Sequence, residues 1–257
     1  MKSSGKIDGV LIAIIAALAV GCVAAYFLAW KPNSQSAVTA QAQAAKQTLK
    51  EVGEKPDGAA EESAGDPLQA EENFEAGVDA EDDEDYKKAA DYYKKACDAN
   101  HYEACYNLGY LYDEGFEGIQ KNHRRANRLY EKACEGDFWS ACTDLGYNYD
   151  EGLGVKQDHV KANELYNKAC DGGDMLGCNN LGYSYQIGEG IEKNLDKALA
   201  LFILSCEGDE SLGCYNLGDL YKDGTGVKKD PKTAAKYYEK ACDLGDSDAC
   251  NKAEELK

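Results

Sequence analysis

Ten of the eleven cysteines in this 257-residue chain fall into five pairs of one form, C-x7-C: Cys97/Cys105, Cys134/Cys142, Cys170/Cys178, Cys206/Cys214 and Cys242/Cys250. Successive first members lie 37, 36, 36 and 36 residues apart. Paired thiols can hold a metal, carry out redox chemistry or close a disulfide, and spacing decides among these. Zinc cages draw four ligands, usually from C-x2-C or C-x4-C clusters, whereas each unit here offers two cysteines and no histidine in phase. The three histidines are His101, His123 and His159. The last two share a phase, but Leu195 and Pro231 occupy it in the next two units, so they read as surface residues. No metal and no cofactor is expected. Across a tight turn, partners eight positions apart can bring their Cα atoms within the roughly 4.4–6.8 Å that a disulfide needs. The expected bonds are therefore Cys97–Cys105, Cys134–Cys142, Cys170–Cys178, Cys206–Cys214 and Cys242–Cys250. Each nine-residue ring contributes about 2.5 kcal/mol by loop closure, and such a set belongs in an oxidising compartment.

Hydrolytic chemistry has little to stand on. The sequence holds no H-E-x-x-H or G-x-S-x-G, and its S-x-x-K match is Ser3-Ser4-Gly5-Lys6, without S-D-N or K-T-G elsewhere. Recurring carboxylates, Asp113/Glu114 and Asp150/Glu151, could serve as acid or base but read more simply as solvated helix ends. The formal charge of −19 excludes a nucleic-acid partner, which needs clustered Lys and Arg.

The elements that would carry these residues repeat with the cysteines. Asp85, Asn122, Asp158, Asn194 and Asp230 stand twelve residues before each first cysteine, where an Asx side chain caps a helix. Ala89, Ala126, Ala162, Ala198 and Ala234 follow, and then Tyr93, Tyr130, Tyr166, Phe202 and Tyr238 four positions on, a small-then-aromatic stripe on one helical face. Gly136, Gly172, Gly208 and Gly245 are expected to supply the left-handed residue that ends the first helix. In the second helix, Leu108-Gly109, Leu145-Gly146, Leu181-Gly182 and Leu217-Gly218 place glycine where it costs about 1 kcal/mol. Its recurrence predicts that another helix crosses there too closely to admit a Cβ. Each unit is thus helix, turn, helix and glycine-bearing loop, and one such pair cannot bury its apolar face alone.

Residues 10–30 carry no charge and are long enough, at about 1.5 Å per residue, to span a bilayer core of roughly 30 Å. Residues 1–9 are then cytoplasmic, and the bulk of the chain lies outside the cytoplasm. Ala19-Val20-Gly21-Cys22 also resembles a lipobox, in which Cys22 would be lipidated, but the run stays apolar for eight residues beyond it. Residues 31–65 read as a flexible acidic tether. Residues 66–84 read as a possible N-terminal capping helix, around Leu68, Ala70 and Phe74, with an acidic linker. Between Glu51 and Glu84, fourteen acids face the single Lys55. Residues 85–257 hold the five repeats.

The run Lys161 to Cys170, with Asn180-Leu181-Gly182-Tyr183 and Gly152-Leu153-Gly154-Val155, resembles a Sel1-like repeat. The C-x7-C pairs are similar to those of the cysteine-rich subgroup, the Helicobacter cysteine-rich proteins. The resemblance implies an all-α fold: a right-handed α/α superhelical solenoid of Sel1/TPR-like helical hairpins, here preceded by one transmembrane helix. It also implies a periplasmic or secreted location and an adaptor role. The expected function is a membrane-anchored scaffold that binds a protein, peptide or peptidoglycan-like cell-wall fragment. A β-lactamase or penicillin-binding activity is the alternative that the same resemblance suggests, and a structural spacer in the envelope is a third.

Overall fold

A computed structural model of the chain describes residues 66–256. These form eleven α-helices with no strand among the described residues, an all-helical solenoid. The apolar run 10–30, Cys22, Ser3–Lys6 and the tether 31–65 lie outside the described residues, as does Lys257. Among the described residues no helix is long and apolar enough to cross a membrane.

The first helix, α1 (Pro67–Asp82), is capped by Asp66, whose side chain accepts from the Leu68 amide. Composition suggested a short cap followed by a linker, yet the helix runs sixteen residues. Its acidic positions are spaced so that Ala70, Gly77 and Ala80 all face inward. Then come α2 (Tyr86–Asp98) and α3 (Tyr102–Glu114), α4 (His123–Glu135) and α5 (Trp139–Glu151), and α6 (His159–Asp171) and α7 (Met175–Ile187). They are followed by α8 (Leu195–Glu207) and α9 (Ser211–Asp223), and by α10 (Pro231–Asp243) and α11 (Ser247–Glu255). The Asx residues cap as their spacing predicts: Asp85, Asn122, Asp158, Asn194 and Asp230 each accept from an amide in the first turn of the helix they precede.

The short turn between the helices of a pair differs from expectation in one respect. Gly136, Gly172 and Gly208 have negative φ, and the left-handed residue is the next one: Asp137 (φ 64°), Gly173 (φ 95°) and Asp209 (φ 64°). Those three glycines answer a different need. A Cβ at Gly136, Gly172 or Gly208 would run into Tyr102, Trp139 or Met175, the first residue of the preceding second helix.

Each turn is bridged by its disulfide. The Cα atoms of the five pairs stand 4.5–4.8 Å apart, joining the last turn of a first helix to the first turn of a second. A lysine reinforces the same edge: Lys132, Lys168 and Lys240 donate at 2.6–2.7 Å to the carbonyls of Cys97, Cys134 and Cys206 in the unit before. Cations at a helix C-terminus complement its exposed carbonyls.

The longer loop closes the other end, where the amides of Asp158, Asn194 and Asp230 donate at 2.8 Å to the carbonyls of Tyr149, Tyr185 and Tyr221. Across this loop the helices pack most extensively. The recurring glycine explains why. A Cβ at Gly109 would meet the Tyr130 ring at 2.7 Å, one at Gly146 the Tyr166 ring at 2.7 Å, and one at Gly182 the Phe202 ring at 2.9 Å. Gly77 and Gly218 lie under Tyr93 and Tyr238 in the same way. The rings so seated are buried throughout.

Gly146→Ala should therefore destabilise the fold by about 1–3 kcal/mol, since overpacking against Tyr166 outweighs the helix propensity that alanine adds; urea unfolding measures it, and a neutral or stabilising change would contradict the contact. Replacing one disulfide, Cys134→Ser with Cys142→Ser, should lower stability by about 2.5 kcal/mol, read as a lower denaturation midpoint with helical circular dichroism retained in dilute buffer.

Candidate functional site

The second helices set the candidate site. Counting from each second half-cystine, the cysteine itself, the leucine three positions on and the glycine four positions on are buried in units one to four. The helical repeat then turns positions two, five and eight away from the core, while position one lies at its border, buried as Thr143 and Asn179. Position five is Tyr110, Tyr147 and Tyr183, which are 42%, 51% and 51% exposed, and Asp219 in the fourth unit.

Positions one and two knit neighbouring second helices into a polar seam. The Tyr106 hydroxyl on α3 donates to Asp144 on α5. Thr143 Oγ1 and Ser140 Oγ on α5 each donate at 2.9 Å to Asp174, the N-cap of α7, which also accepts from the Gly177 amide at 2.8 Å. Asn216 Nδ2 on α9 donates to Asn179 Oδ1 on α7 at 2.8 Å. Lys252 Nζ on α11 donates to Asp219 Oδ1 at 2.7 Å and lies 4.0 Å from the centre of the Tyr215 ring.

The carboxylates singled out from sequence take part in ties between units. Asp113 Oδ1 lies 2.7 Å from His123 Nδ1 and 3.3 Å from Asn148 Nδ2, and Asp150 Oδ1 lies 2.7 Å from His159 Nδ1. The second nitrogen of His159 faces Glu189 at 3.4 Å, not a hydroxyl. Hydrogen bonding to Asp150 holds the His159 imidazole above its usual value, so it tends toward the charged form. These histidines join the end of a second helix to the start of the next first helix. His101 instead caps α3 through its Nδ1 and stacks on Phe74 at 4.3 Å. Among the described residues, no group of three or more His, Cys, Asp and Glu converges as a metal site would.

Three of the second helices lack cations. Helices α3, α5 and α7 contain Glu103, Asp113, Glu114, Asp144, Asp150 and Glu151 and no Lys or Arg. The neighbouring first helices contain the cations, among them Lys87, Lys88, Lys94 and Lys95 on α2 and Arg124, Arg125, Arg128 and Lys132 on α4. The face bearing the tyrosines is thus acidic and aromatic.

The sequence matches the Sel1 repeat over five stretches, residues 74–101, 103–138, 139–174, 176–210 and 211–246, well over half of the chain. It belongs to the Sel1 repeat family. In the family's frame each unit is a second helix, the glycine loop and the following first helix, with α1 and α2 as the first unit. That frame follows the more extensive packing and makes each of the first four disulfides a staple between consecutive units. The pairs fit the cysteine-rich subgroup of the family.

Among solved structures, a Sel1 repeat protein from Oxalobacter formigenes is 29% identical, with a TM-score of 0.64 over 70% of this chain and 75% of that one. A protective antigen of uropathogenic Escherichia coli with an SLR fold is also 29% identical, with a TM-score of 0.65, and this chain spans 73% of its own length and 41% of that protein. Helicobacter pylori cysteine rich protein B is 32% identical over 65% of this chain and 93% of its own, with a TM-score of 0.37. No curated protein matches significantly.

Two features of this Sel1 repeat face escaped the sequence reading. The histidine ties needed a partner nine or ten residues back, across a loop whose path periodicity does not reveal. Asp144 stands where other units carry Asn107, Asn180 and Asn216, a signal visible at the 36-residue step. Burial raises its carboxyl to about 6; the Tyr106 hydrogen bond works against this, and the charges of Asp113 and Asp174 add to it. Because the folded value exceeds the ordinary 3.8, this carboxyl favours folding fully below 3.8, and that contribution is lost as the pH rises through about 6. Asp144→Asn should match the parent below pH 4 and exceed its stability by about 2 kcal/mol at pH 8; urea titrations across that range test it, and parallel curves would refute it.

Proposed function

We propose that this Sel1 repeat chain is an exported, membrane-anchored scaffold whose tyrosine-bearing face holds a segment of a partner protein outside the cytoplasm. The observation that carries the reading is the face itself: three half-exposed tyrosines at one position of successive units, on helices with six carboxylates and no cation. Aromatic residues at regular exposure are what protein interfaces favour, since they offer large contact area at low ordering cost. Repeat solenoids present such positions as an extended surface. The paired cysteines support an oxidising compartment, and the uncharged run 10–30 supports an anchor in the bacterial inner membrane.

A photo-crosslinking amino acid at Tyr147, with a second variant at Arg128 on the basic first-helix side, tests both parts in intact cells. The adduct is expected from position 147 alone, and protease added to spheroplasts should digest it. Equal crosslinking from both positions would refute the face. An adduct protected until the cells are lysed would refute export.

A further inference from the structure

We propose that the Cys170–Cys178 disulfide is a thiol-exchange site, open to a dithiol reductant, and that its reduction frees the joint between α6 and α7 while the neighbouring bridges stay closed. The inference is independent of the docking face.

Cover is the first argument. Cys97, Cys134 and Cys206, the first partners of three bridges, are 3% exposed, and a lysine from the next first helix binds the carbonyl of each. The 36-residue step places Leu204 where Cys170 would need that lysine. Leucine is shorter and has no donor; it stands exposed, and Cys170 is partly exposed although Cys178 is buried. Cys242 and Cys250, after which no further first helix follows among the described residues, are partly exposed as well. Lysine cover and burial of the first half-cystine thus go together in all five bridges. Charge acts the other way, since an ammonium group lowers the pKa of a leaving thiol and so speeds exchange. Access outweighs it. A shift of one pH unit in a thiol changes the rate only about threefold at a Brønsted slope of roughly 0.5, whereas a sealed sulfur must wait for local opening of a packed turn.

Core continuity is the second argument. One buried apolar cluster extends from Ala80 on α1 to Ala169 on α6, and another from Ala198 on α8 to Ala253 on α11. Among the described residues, the cluster between them is the small group Ala162, Tyr166 and Leu181. Polar side chains take up the interior there. Ser184 stands where α3 and α9 carry Leu111 and Leu220, and Asn163 stands where α8 carries Leu199. The buried Asn163 Oδ1 has no hydrogen-bond partner. An open cavity of about 470 Å³ beside Asn163, Leu181 and Tyr185 thins the packing further. This joint therefore depends on its covalent staple more than the others do.

The exchange is a two-step transfer. A thiolate of the dithiol attacks Cys170 Sγ in line with the bridge, forming a mixed disulfide, and Cys178 leaves as a thiolate that takes a proton. The reagent's second thiol then attacks its own bridged sulfur, closing the oxidised reagent and releasing Cys170 as a thiol. The bridge gains two electrons and two protons, and the dithiol loses them.

The test exposes the full, oxidised chain to dithiothreitol, quenches samples with acid over time, labels free thiols with N-ethylmaleimide and maps the peptides by mass spectrometry. Cys170 and Cys178 are expected to be labelled roughly tenfold faster, or more, than the pairs Cys97/Cys105, Cys134/Cys142 and Cys206/Cys214. Leu204→Lys should slow their labelling about fivefold, and Lys168→Leu should speed that of Cys134 and Cys142 by about the same factor. Deuterium exchange, on chain reduced far enough to open this bridge alone of the four, should rise about tenfold for amides at the α6–α7 turn and stay unchanged at the α4–α5 turn. Equal rates at all the bridges, or labelling only when every bridge opens together, would overturn the exchange site. An unchanged rate in a folded Leu204→Lys would overturn the missing lysine as its cause. Unaltered deuterium exchange at the α6–α7 turn would overturn the freed joint. The comparison among bridges needs no variant, so a substitution that fails to fold leaves it decisive.

Discussion

One contact governs this architecture: an aromatic ring from each first helix packs against a glycine of the helix before it. Tyr93 on Gly77, Tyr130 on Gly109, Tyr166 on Gly146, Phe202 on Gly182 and Tyr238 on Gly218 are the same arrangement five times. A tyrosine or phenylalanine buries about 150–250 Å², and no single helix pair can cover one, so each unit is stable only with its neighbour in place. The contact also fixes how every second helix is rotated. Once leucine and glycine face the next unit, the residues two, five and eight positions past the half-cystine turn outward, and those at position one lie at the border of the core. The polar seam and the tyrosine row follow from a packing constraint on the opposite side of the helix.

The two edges of the array are held by different forces. Along one, each disulfide fixes a turn, and a lysine from the next unit binds the carbonyl at the helix end. In the fourth unit the lysine position is Leu204, which is exposed, and the joint after Cys170 is held by its disulfide, by packing of Gly208 against Met175 and by the Ser205 hydroxyl, which donates to the Met175 carbonyl at 2.9 Å. Along the other edge the glycine loops are closed by backbone hydrogen bonds and by the paired His123–Asp113 and His159–Asp150. Those ties do not persist down the chain. Gln186 and Leu195, and then Lys222 and Pro231, stand at the corresponding places. The backbone bond alone therefore suffices for the loop, and the histidines add to it in the central units.

The 36-residue period, the Asx caps and the crowded second-helix glycine were all legible in the sequence, because each is a local requirement that recurs with the same residue type. The turn glycines were legible as conserved in phase but not in cause. Left-handed geometry and close approach to a neighbouring side chain both demand glycine, and only the structure assigns Gly136, Gly172 and Gly208 to the second. The histidines were misjudged as plain surface residues for a related reason: substitution by leucine and proline excludes a metal ligand but says nothing about a carboxylate met across a loop. The expected span and tether remain expectations, since residues 1–65 lie outside the described part of the chain.

The outward face of the second helices is divided by function as well as by position. Several residues one and two past the half-cystine, Thr143, Asn179, Asn216 and Lys252 among them, spend hydrogen bonds on the neighbouring second helix or its cap. The tyrosines at position five are not tied into that seam, and they stand exposed. Because disulfides and seated rings hold these side chains at a fixed step before any partner arrives, little ordering of the scaffold is required on binding. That is the physical advantage of a stiff repeat over a flexible acidic segment of the same composition. The change from Tyr183 to Asp219, with Lys252 satisfying the new carboxylate internally, marks where this surface stops.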